Sequence, residues 1–571
     1  MAKTVVPNTA GEGSFRQAQA WLHTWCGLWF SWLLFAVFLT GTLAVFEEPI
    51  THWMTLEHHA EEEAAARASL SASPVALASV GERLRWAKNY METNHPGAGM
   101  WELWPANAEG AGDLRAYWFD QNMEYASAAL DPQTGNPLTG AQTGVVRQTS
   151  GGHHFVDFHY QLHAGTVGLW IVGIAGLAML VALVSGVITH KRIFKDFFTF
   201  RPRKGQRSWL DAHNAVAVLT LPFQLMIAYT GIAISGLTFM PAGISAYFGS
   251  GSAGTQSYLK ALNEPGKPER SGQAMEVPDL ESFALRGQEL MKQPVRAVVI
   301  DHPGDAAARI GVYGWNSEDS TRDRLSATSG MAMFSAQTGE VLAVRLPGDV
   351  DGGNASLAQS VISGLHTLTF GGWALKWLYF VCGLAGSAMM ATGAILFMVK
   401  RRAKHQGEFG SATARVYRLI EALNVAAIAG LGIACIGFFW ANRLVPVGIP
   451  HRGDWELGVF FALWLLALVH ALLRSPTSAW REQLAMFAAL CVLLPVLNFV
   501  TTGEHLPGQI AHGDWESAGV ELCALAISLA AARAARRLWR PKQAPAKGPK
   551  APQSPIAPVL TSNRPNRETS V

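Results

Sequence analysis

Eight long apolar runs are the feature that most constrains the fold of this chain. A helix needs about 20 predominantly apolar residues to cross the ~30 Å hydrocarbon core of a bilayer. Only 15% of the 571 residues are charged, whereas an ordinary soluble protein has about 25%. The sequence therefore predicts a polytopic all-α membrane protein with about eight transmembrane helices, at 24–46, 168–189, 214–240, 373–399, 419–440, 457–473, 483–501 and 517–533.

Lysine and arginine are concentrated on one side of these spans. Segment 190–208 carries seven of them, segment 399–418 carries six, and the tail from Arg533 carries nine. Because basic segments favour the cytoplasmic side, we expect both termini inside and the stretches 48–162 and 241–365 outside. The net charge of +3 gives no reason to expect a nucleic-acid partner.

This pattern divides the chain into seven parts. They are the N-terminus with the first span (1–47), a first outer domain (48–162), two spans with a basic loop (163–240), a second outer domain (241–365), the fourth span (366–402), a four-helix C-terminal extension (403–540) and a Pro-, Ala- and Lys-rich tail expected to be disordered (541–571).

The first four spans contain an internal repeat. In the first span His23 is followed 18 residues later by Gly41, and in the third span His213 is followed 18 residues later by Gly231. A threonine precedes each of these glycines. The intervals predict that the two spans are equivalent helices.

The outer stretches repeat as well. Each contains a Gln-Thr-Gly sequence, ending at Gly135 and Gly339, between alternating apolar runs that predict a β-hairpin. A Leu-His pair then opens the next span, with His163 in the first unit and His366 in the second. Two units in parallel orientation predict a pseudo-two-fold axis along the membrane normal.

The repeat sorts four histidines into two layers. His23 and His213 lie near the inner face, and His163 and His366 near the outer face. A group on the pseudo-axis would receive one ligand from each unit, and neutral imidazole is a standard ligand of haem iron. The sequence predicts two bis-histidine haem b groups, with Gly41 and the equivalent glycine of the third span leaving room at the outer one. The alternative is that the histidines lie at the headgroup boundary without a cofactor.

Two further histidines leave the ligand assignment open. His159 is four residues before His163, so on a helix both would share a face. It is an alternative outer ligand. His190 ends the second span, and Phe397 stands at the equivalent place in the fourth. His190 is an alternative inner ligand or part of a third site.

These segments resemble the PepSY-associated transmembrane helix family over about residues 15–402. The resemblance rests on LHTWCGL, LHAGTVG with SGVITHKRIF, DAHNAVAVLTLPF with YTG, LHTLTFGG with TGAILF and KRR, and the two QTG hairpins. The stretch SGVITHKRIFKDFFTFRP followed by LDAHN is most similar to the di-haem ferrisiderophore reductase branch.

That resemblance implies a duplicated four-helix haem-binding core with two periplasmic α+β PepSY-type domains. It also implies a bacterial inner-membrane enzyme that passes electrons across the membrane to a ferric siderophore, or another ferric chelate, and releases Fe(II) for uptake. The electron donor would be a quinol or a cytoplasmic flavin reductant. No general acid or nucleophile is needed for this reaction. Trp101, Trp104 and His95 are candidates for the substrate cleft by composition only.

Two other functions remain open from the sequence. One is a b-type cytochrome subunit that serves another respiratory or assimilatory reductase. The other is a non-enzymatic PepSY-type sensor or peptidase regulator, which would bind no haem.

The extension has a small repeat of its own, PHRGDWELG at 450–458 and AHGDWESAG at 511–519. Asp454 and Asp514 fit helix N-caps, and the tryptophan after each fits an interfacial anchor. The alternative is a quinol or redox site formed by His451 and His512.

Overall fold

The computed structural model describes residues 10–55, 78–105, 114–119, 125–137, 147–190, 206–261, 269–315, 329–348, 353–404 and 409–539. Within these ranges eight helices are long and apolar enough to cross a membrane, which confirms the predicted number. Most of the basic loop 190–208 and the tail 541–571 lie outside the described residues.

The helices are numbered in chain order. In the first half they are α1 (Ala10–Ala44), α2 (Glu47–Met54), α3 (Val80–Asn94), α4 (His153–Gln161), α5 (Gly165–Thr189), α6 (Gln206–Ile234), α7 (Gly236–Phe239), α8 (Pro241–Phe248), α9 (Gly251–Ala261) and α10 (Leu280–Met291). In the second half they are α11 (Gly353–Thr367), α12 (Gly372–Lys404), α13 (Thr413–Val425), α14 (Leu431–Leu444), α15 (Arg452–Leu473), α16 (Pro476–Thr502), α17 (Leu506–His512) and α18 (Trp515–Trp539).

Four spans form a core bundle in which α1 and α6 each pack against both α5 and α12. The short helices α4 and α11 lead into α5 and α12 and pack beside α1 and α6 respectively. We call the end where α4 and α11 lie the sheet end, since the strands are inserted there, and the other the basic end. The third span stops at Ile234 instead of residue 240, because Ser235 interrupts the helix and Pro241 starts a new one.

The outer stretches contribute seven strands to one antiparallel sheet. The strands are β1 (Met100–Trp104), β2 (Leu114–Phe119), β3 (Tyr125–Leu130), β4 (Val295–Asp301), β5 (Arg309–Gly314), β6 (Met331–Ser335) and β7 (Val341–Arg345). Their order is β3-β2-β1-β4-β5-β6-β7. The two stretches that the sequence predicts as separate domains therefore share a continuous sheet, joined where β1 pairs with β4.

The pairing of β1 with β4 explains why the strands of the first outer stretch and those of the second depend on each other for a complete core. Leu103 on β1 lies opposite Val298 on β4, and both side chains are fully buried. Helices α3 and α10 pack against this face of the sheet and against each other. A half sheet would leave these apolar strand edges unpaired, so the seam between β1 and β4 closes a single core.

The two Gln-Thr-Gly turns have the same geometry. In the first, the N–H of Gly135 donates to the carbonyl of Asp131, and in the second the N–H of Gly339 donates to the carbonyl of Ser335. Both glycines have positive φ, at 71° and 69°. This conformation favours glycine. The hairpin prediction is confirmed in the second unit, where β6 pairs with β7. In the first unit the structure describes the turn and one bridge between Leu130 and Pro137, and residues 138–146 lie outside the described residues.

The extension packs α14 against α15 and α16, and α16 against α18. A buried polar network lies at its sheet end. Glu456 accepts hydrogen bonds from Asn442 and Thr149 at 2.8 and 2.6 Å, and it pairs with Arg452. Arg452 also donates to the carbonyl of Gln148. The network ties the extension to the segment that leads into α4.

Only one of the two aspartates in the small repeat of the extension caps a helix. Asp514 accepts a hydrogen bond from the N–H of Ser517 at 3.0 Å, as an N-cap does. Asp454 instead lies inside α15, whose N-cap is His451. The N-cap prediction is therefore confirmed for Asp514 and wrong for Asp454. His451 and His512 are both exposed.

Candidate functional site

Two histidines face each other at the basic end of the core bundle. His23 on α1 and His213 on α6 have their ring centres 6.4 Å apart. His23 Nδ1 lies 2.8 Å from the carbonyl oxygen of Ala182 on α5, and His213 Nδ1 lies 3.0 Å from that of Met389 on α12. A carbonyl can only accept, so Nδ1 carries the proton and Nε2 keeps its lone pair.

The sheet end holds a second pair with the same arrangement. The ring centres of His159 on α4 and His366 on α11 are 6.0 Å apart. His159 Nδ1 lies 2.7 Å from the carbonyl oxygen of Val37, and His366 Nδ1 lies 3.1 Å from the hydroxyl of Thr230, with the Ile227 carbonyl as a further acceptor. Metal-binding histidines usually engage their second nitrogen in this way.

A glycine stands behind each of the four rings. A Cβ on Gly41 would lie 2.5 Å from the His159 ring, and one on Gly231 would lie 2.7 Å from the His366 ring. These two glycines make room for the imidazoles themselves, which differs from the expectation that they make room for a macrocycle.

The basic-end pair is backed in the same way. A Cβ on Gly186 would lie 3.0 Å from the His23 ring, and one on Gly393 would lie 3.2 Å from the His213 ring.

These contacts follow one local rule. The carbonyl that receives each Nδ1–H belongs to the residue four positions before the glycine, as with Ala182 before Gly186 and Met389 before Gly393. In a helix the side chain four residues on lies over that carbonyl. Its absence lets a ring from the neighbouring helix reach the backbone, so glycine and histidine act together.

His163 is not brought to His366, contrary to the pairing predicted from the two Leu-His sequences. His163 Nε2 lies 2.9 Å from Nδ1 of His154, and the two rings stack with centres 5.0 Å apart. The equivalent of His366 is His159, the residue kept as an alternative. Each lies six residues before the glycine that starts the following span.

The predicted match of His163 with His366 is wrong because the backbone changes direction just before His163. Leu162 and His163 both have positive φ, at 55° and 52°. These left-handed residues end α4, and the ring of His163 lies 6.1 Å from that of Phe461 in the extension. A Leu-His match in sequence could not show this turn.

His190 ends α5 beside the basic-end pair, with its ring centre 6.3 Å from that of His23. It lines the same cavity as His23 and His213. The cavity measures about 270 Å³ and also has Lys400 and Arg401 in its wall. His190 therefore remains an alternative ligand at this end, and the two cations suit a carboxylate-bearing cofactor.

The sheet-end pair lines a smaller cavity of about 70 Å³, with Phe38, Phe223 and Tyr379 in its wall. Tyr379 donates a hydrogen bond of 2.8 Å to the carbonyl of Leu365, which fixes the backbone just before His366. This hydrogen bond from α12 thus holds the end of α11 in place.

The donor set of both pairs fits a haem. Two imidazoles that bind one iron from opposite sides hold their ring centres ~6 Å apart, because each iron–nitrogen bond is about 2 Å long and each ring centre lies ~1 Å behind its nitrogen. The observed spacings are 6.4 and 6.0 Å. In the part of the chain that the structure describes, no group of three or more His, Cys, Asp or Glu residues could hold a metal ion.

The sheet separates Trp104 from the other two residues proposed for a substrate cleft, Trp101 and His95, which are hydrogen-bonded to each other at 3.3 Å. Trp101 is 2% exposed and belongs to the core under α3 and α10. Trp104 points to the opposite face, where Arg296 lies over its ring. His95 stacks on Trp118 with ring centres 3.8 Å apart. These three side chains do not form a common site.

The fold and the paired histidines define a multi-pass membrane protein with a duplicated four-helix core. Residues 20–400 match the PepSY-associated TM region, and the chain belongs to that family. It is also similar to an uncharacterised protein of Pseudomonas aeruginosa, with 23% identity over 401 residues, which cover 68% of this chain and 95% of that protein. The extension from residue 401 onward lies beyond the family match.

Proposed function

We propose that this protein is a di-haem b oxidoreductase of the bacterial inner membrane that reduces a ferric siderophore on the sheet side and releases Fe(II) for uptake. The observation that carries the proposal is the set of four histidines in two facing pairs, each with Nδ1 engaged and a glycine behind the ring. Bound haem would supply one-electron redox chemistry.

The protein's own residues would ligate and orient the cofactor. The backbone acceptors fix the tautomer of each histidine, so that Nε2 is ready to bind iron without a proton being lost. The helices around the two pairs keep water away, and α1 links the two ends over the ~27 Å that separate His23 from Gly41 along its axis. Reduction weakens an oxygen-ligand chelate, because hard oxygen ligands hold Fe(III) better than Fe(II).

The first test is the absorption spectrum of the purified full-length protein with dithionite. We expect a b-type α-band and two haems per chain. A colourless protein would rule out the proposal and leave the PepSY-type sensor or peptidase regulator.

A comparison of variants tests the ligands. We expect His159→Ala and His366→Ala each to lose one haem, and His163→Ala to keep both. His23→Ala and His213→Ala should lose the other haem. A His163→Ala protein with one haem and a His159→Ala protein with two would contradict the assignment.

The substrate needs a separate measurement. The dithionite-reduced protein, freed of excess reductant, is mixed with a ferric trihydroxamate in a stopped-flow instrument while ferrozine traps Fe(II). We expect reoxidation of the α-band and Fe(II) release together. Haem that is not reoxidised would favour a cytochrome subunit of another reductase.

A further inference from the structure

A second cavity lies between the core bundle and the extension, away from the histidine pairs. It measures about 150 Å³ and is lined by residues of α1, α2, α12, α14, α16 and α18. An apolar cavity of this size accommodates a benzene ring. The cavity depends on the extension, because three of the helices that line it follow residue 430.

The wall of this interface cavity is suited to a flat ring. Phe46 stacks on Trp373 with ring centres 6.1 Å apart and 28° between the planes, and its centre is 4.9 Å from that of Trp377. Aromatic walls of this kind favour another aromatic or quinoid ring at a stacking distance. The rest of the wall is aliphatic, with Leu39 and Leu43 from α1.

The charges at the rim argue against a phospholipid. Glu516 in the first turn of α18 is part of the wall, and Lys376 nearby is already paired with Glu48 at 3.4 Å. A carboxylate repels a phosphate headgroup, whereas it accepts a hydrogen bond from a phenolic hydroxyl. The rim therefore suits a quinol with a neutral ring and an apolar tail.

The interface cavity is also next to the sheet-end pair. Leu39 and Leu43 on α1 line it, while Gly41 and Thr42 on the same helix line the cavity of His159 and His366. On α12, Phe380 faces the first cavity and Gly383 the second. Only the thickness of these helices separates the two.

We propose that the interface cavity binds the ring of an isoprenoid quinol, with Glu516 as the acceptor for one of its hydroxyl groups. Its role as an electron source rests on the proposed function, whereas binding itself does not. Oxidation of one quinol to the quinone gives up two electrons and two protons. The electrons reduce two Fe(III) chelates to Fe(II), one each, and the protons pass to water, the first by way of Glu516.

Gly519 offers a way to fill the cavity. It lies on α18 in the cavity wall, and a Cβ added there meets no atom within 4 Å. Gly458 on α15 is the matched control, since its Cβ also meets nothing within 4 Å and it lies outside the cavity. Gly519→Phe places a ring where the quinol would bind, and Gly458→Phe adds the same ring elsewhere in the extension.

The test measures equilibrium binding of tritiated decylubiquinone and decylubiquinol to the full-length protein in lipid nanodiscs. We expect saturable binding to the wild type and to Gly458→Phe, and at least tenfold weaker binding to Gly519→Phe. Three results would overturn the proposal. They are absence of saturable binding, equal binding to all three proteins, and a bound phospholipid that decylubiquinone does not displace.

Glu516→Gln provides a second readout if Gly519→Phe fails to fold. The amide keeps the size of the side chain but accepts the hydroxyl more weakly, so we expect decylubiquinol to bind several-fold less tightly and decylubiquinone to bind unchanged. Equal loss or no change for both ligands would contradict the assigned role. The dithionite spectrum, recorded on the same samples, shows separately whether the haem proposal has failed.

Discussion

At the scale of single residues, the histidine and the glycine behind it form one functional unit. His159 reaches the carbonyl of Val37 only because Gly41 has no side chain over that carbonyl. A glycine inside a helix costs about 1 kcal/mol relative to alanine. Glycine nevertheless stands inside a helix at Gly41, Gly186 and the two equivalent positions in the second unit. These glycines therefore mark the site as clearly as the histidines do.

Gly41→Ala tests this unit. The added methyl would lie 2.5 Å from His159 Nδ1 and displace the ring, so we expect the protein to lose the sheet-end haem and keep the other. The measurement is haem content per chain with the dithionite spectrum. Gly458→Ala is the control and should keep two haems; a Gly41→Ala protein with both haems would show that the ring is not held by this contact.

At the scale of elements, α4 is held at its start by charged contacts. The first residue of α4, His153, lies with Nδ1 2.8 Å from Glu47 on α2, and Asp157 lies one turn further along α4. The hydrogen bond to Glu47 raises the pKa of His153. Because α4 also carries His159, the docking of α2 and α4 affects the sheet-end pair.

This contact predicts a dependence on pH. A raised pKa in the folded state means that the stabilisation is complete below the unfolded value of about 6.5 and is lost as the pH rises through the folded value. We expect the midpoint of thermal unfolding, followed by circular dichroism, to fall over that range. The effect is modest because His153 is largely exposed. Glu47→Gln should flatten the profile, and an unchanged profile would mean that another group titrates.

The polar network of the extension makes a second prediction at this scale. Glu456→Ala removes the carboxylate that pairs with the buried guanidinium of Arg452, and breaking such a buried ion pair costs about 3–5 kcal/mol. Unfolding in denaturant should report this loss. Asp454→Ala, two residues away at a side chain that is 79% exposed, is the matched control and should change stability by less than about 0.5 kcal/mol.

At the scale of the whole molecule, the extension supports one end of the core more than the other. His154 and Phe155 at the sheet end are fully buried and contact Phe438, Phe439 and Phe460 of the extension. The cavity of the basic-end pair, in contrast, is lined wholly by residues between 20 and 401. The two ends should therefore respond differently when the extension is removed.

Truncation after Lys404 tests this asymmetry. The shortened chain exposes the apolar side chains of α2 and α4, so we expect it to lose the sheet-end haem and to keep the basic-end haem. The spectrum and haem content of the purified protein decide the question. Retention of both haems would mean that the core bundle alone positions His159.

The sequence by itself determined the eight spans, the duplication and the Gln-Thr-Gly turns, because hydropathy and local turn chemistry act over short distances along the chain. It also predicted His23 and His213, which repeat at matching intervals, and His366, which it matched with His163 instead of His159. It did not decide between His159 and His163, since the left-handed turn at Leu162 depends on how α4 meets α5.

Tertiary structure alone decided the remaining features. The joining of two outer stretches into one sheet depends on pairing between strands almost 200 residues apart. The backing of each histidine by a glycine joins residues on different helices. The interface cavity exists only because α14, α16 and α18 pack beside the core. Contacts of this kind follow from packing between elements, and no pattern along a single segment encodes them.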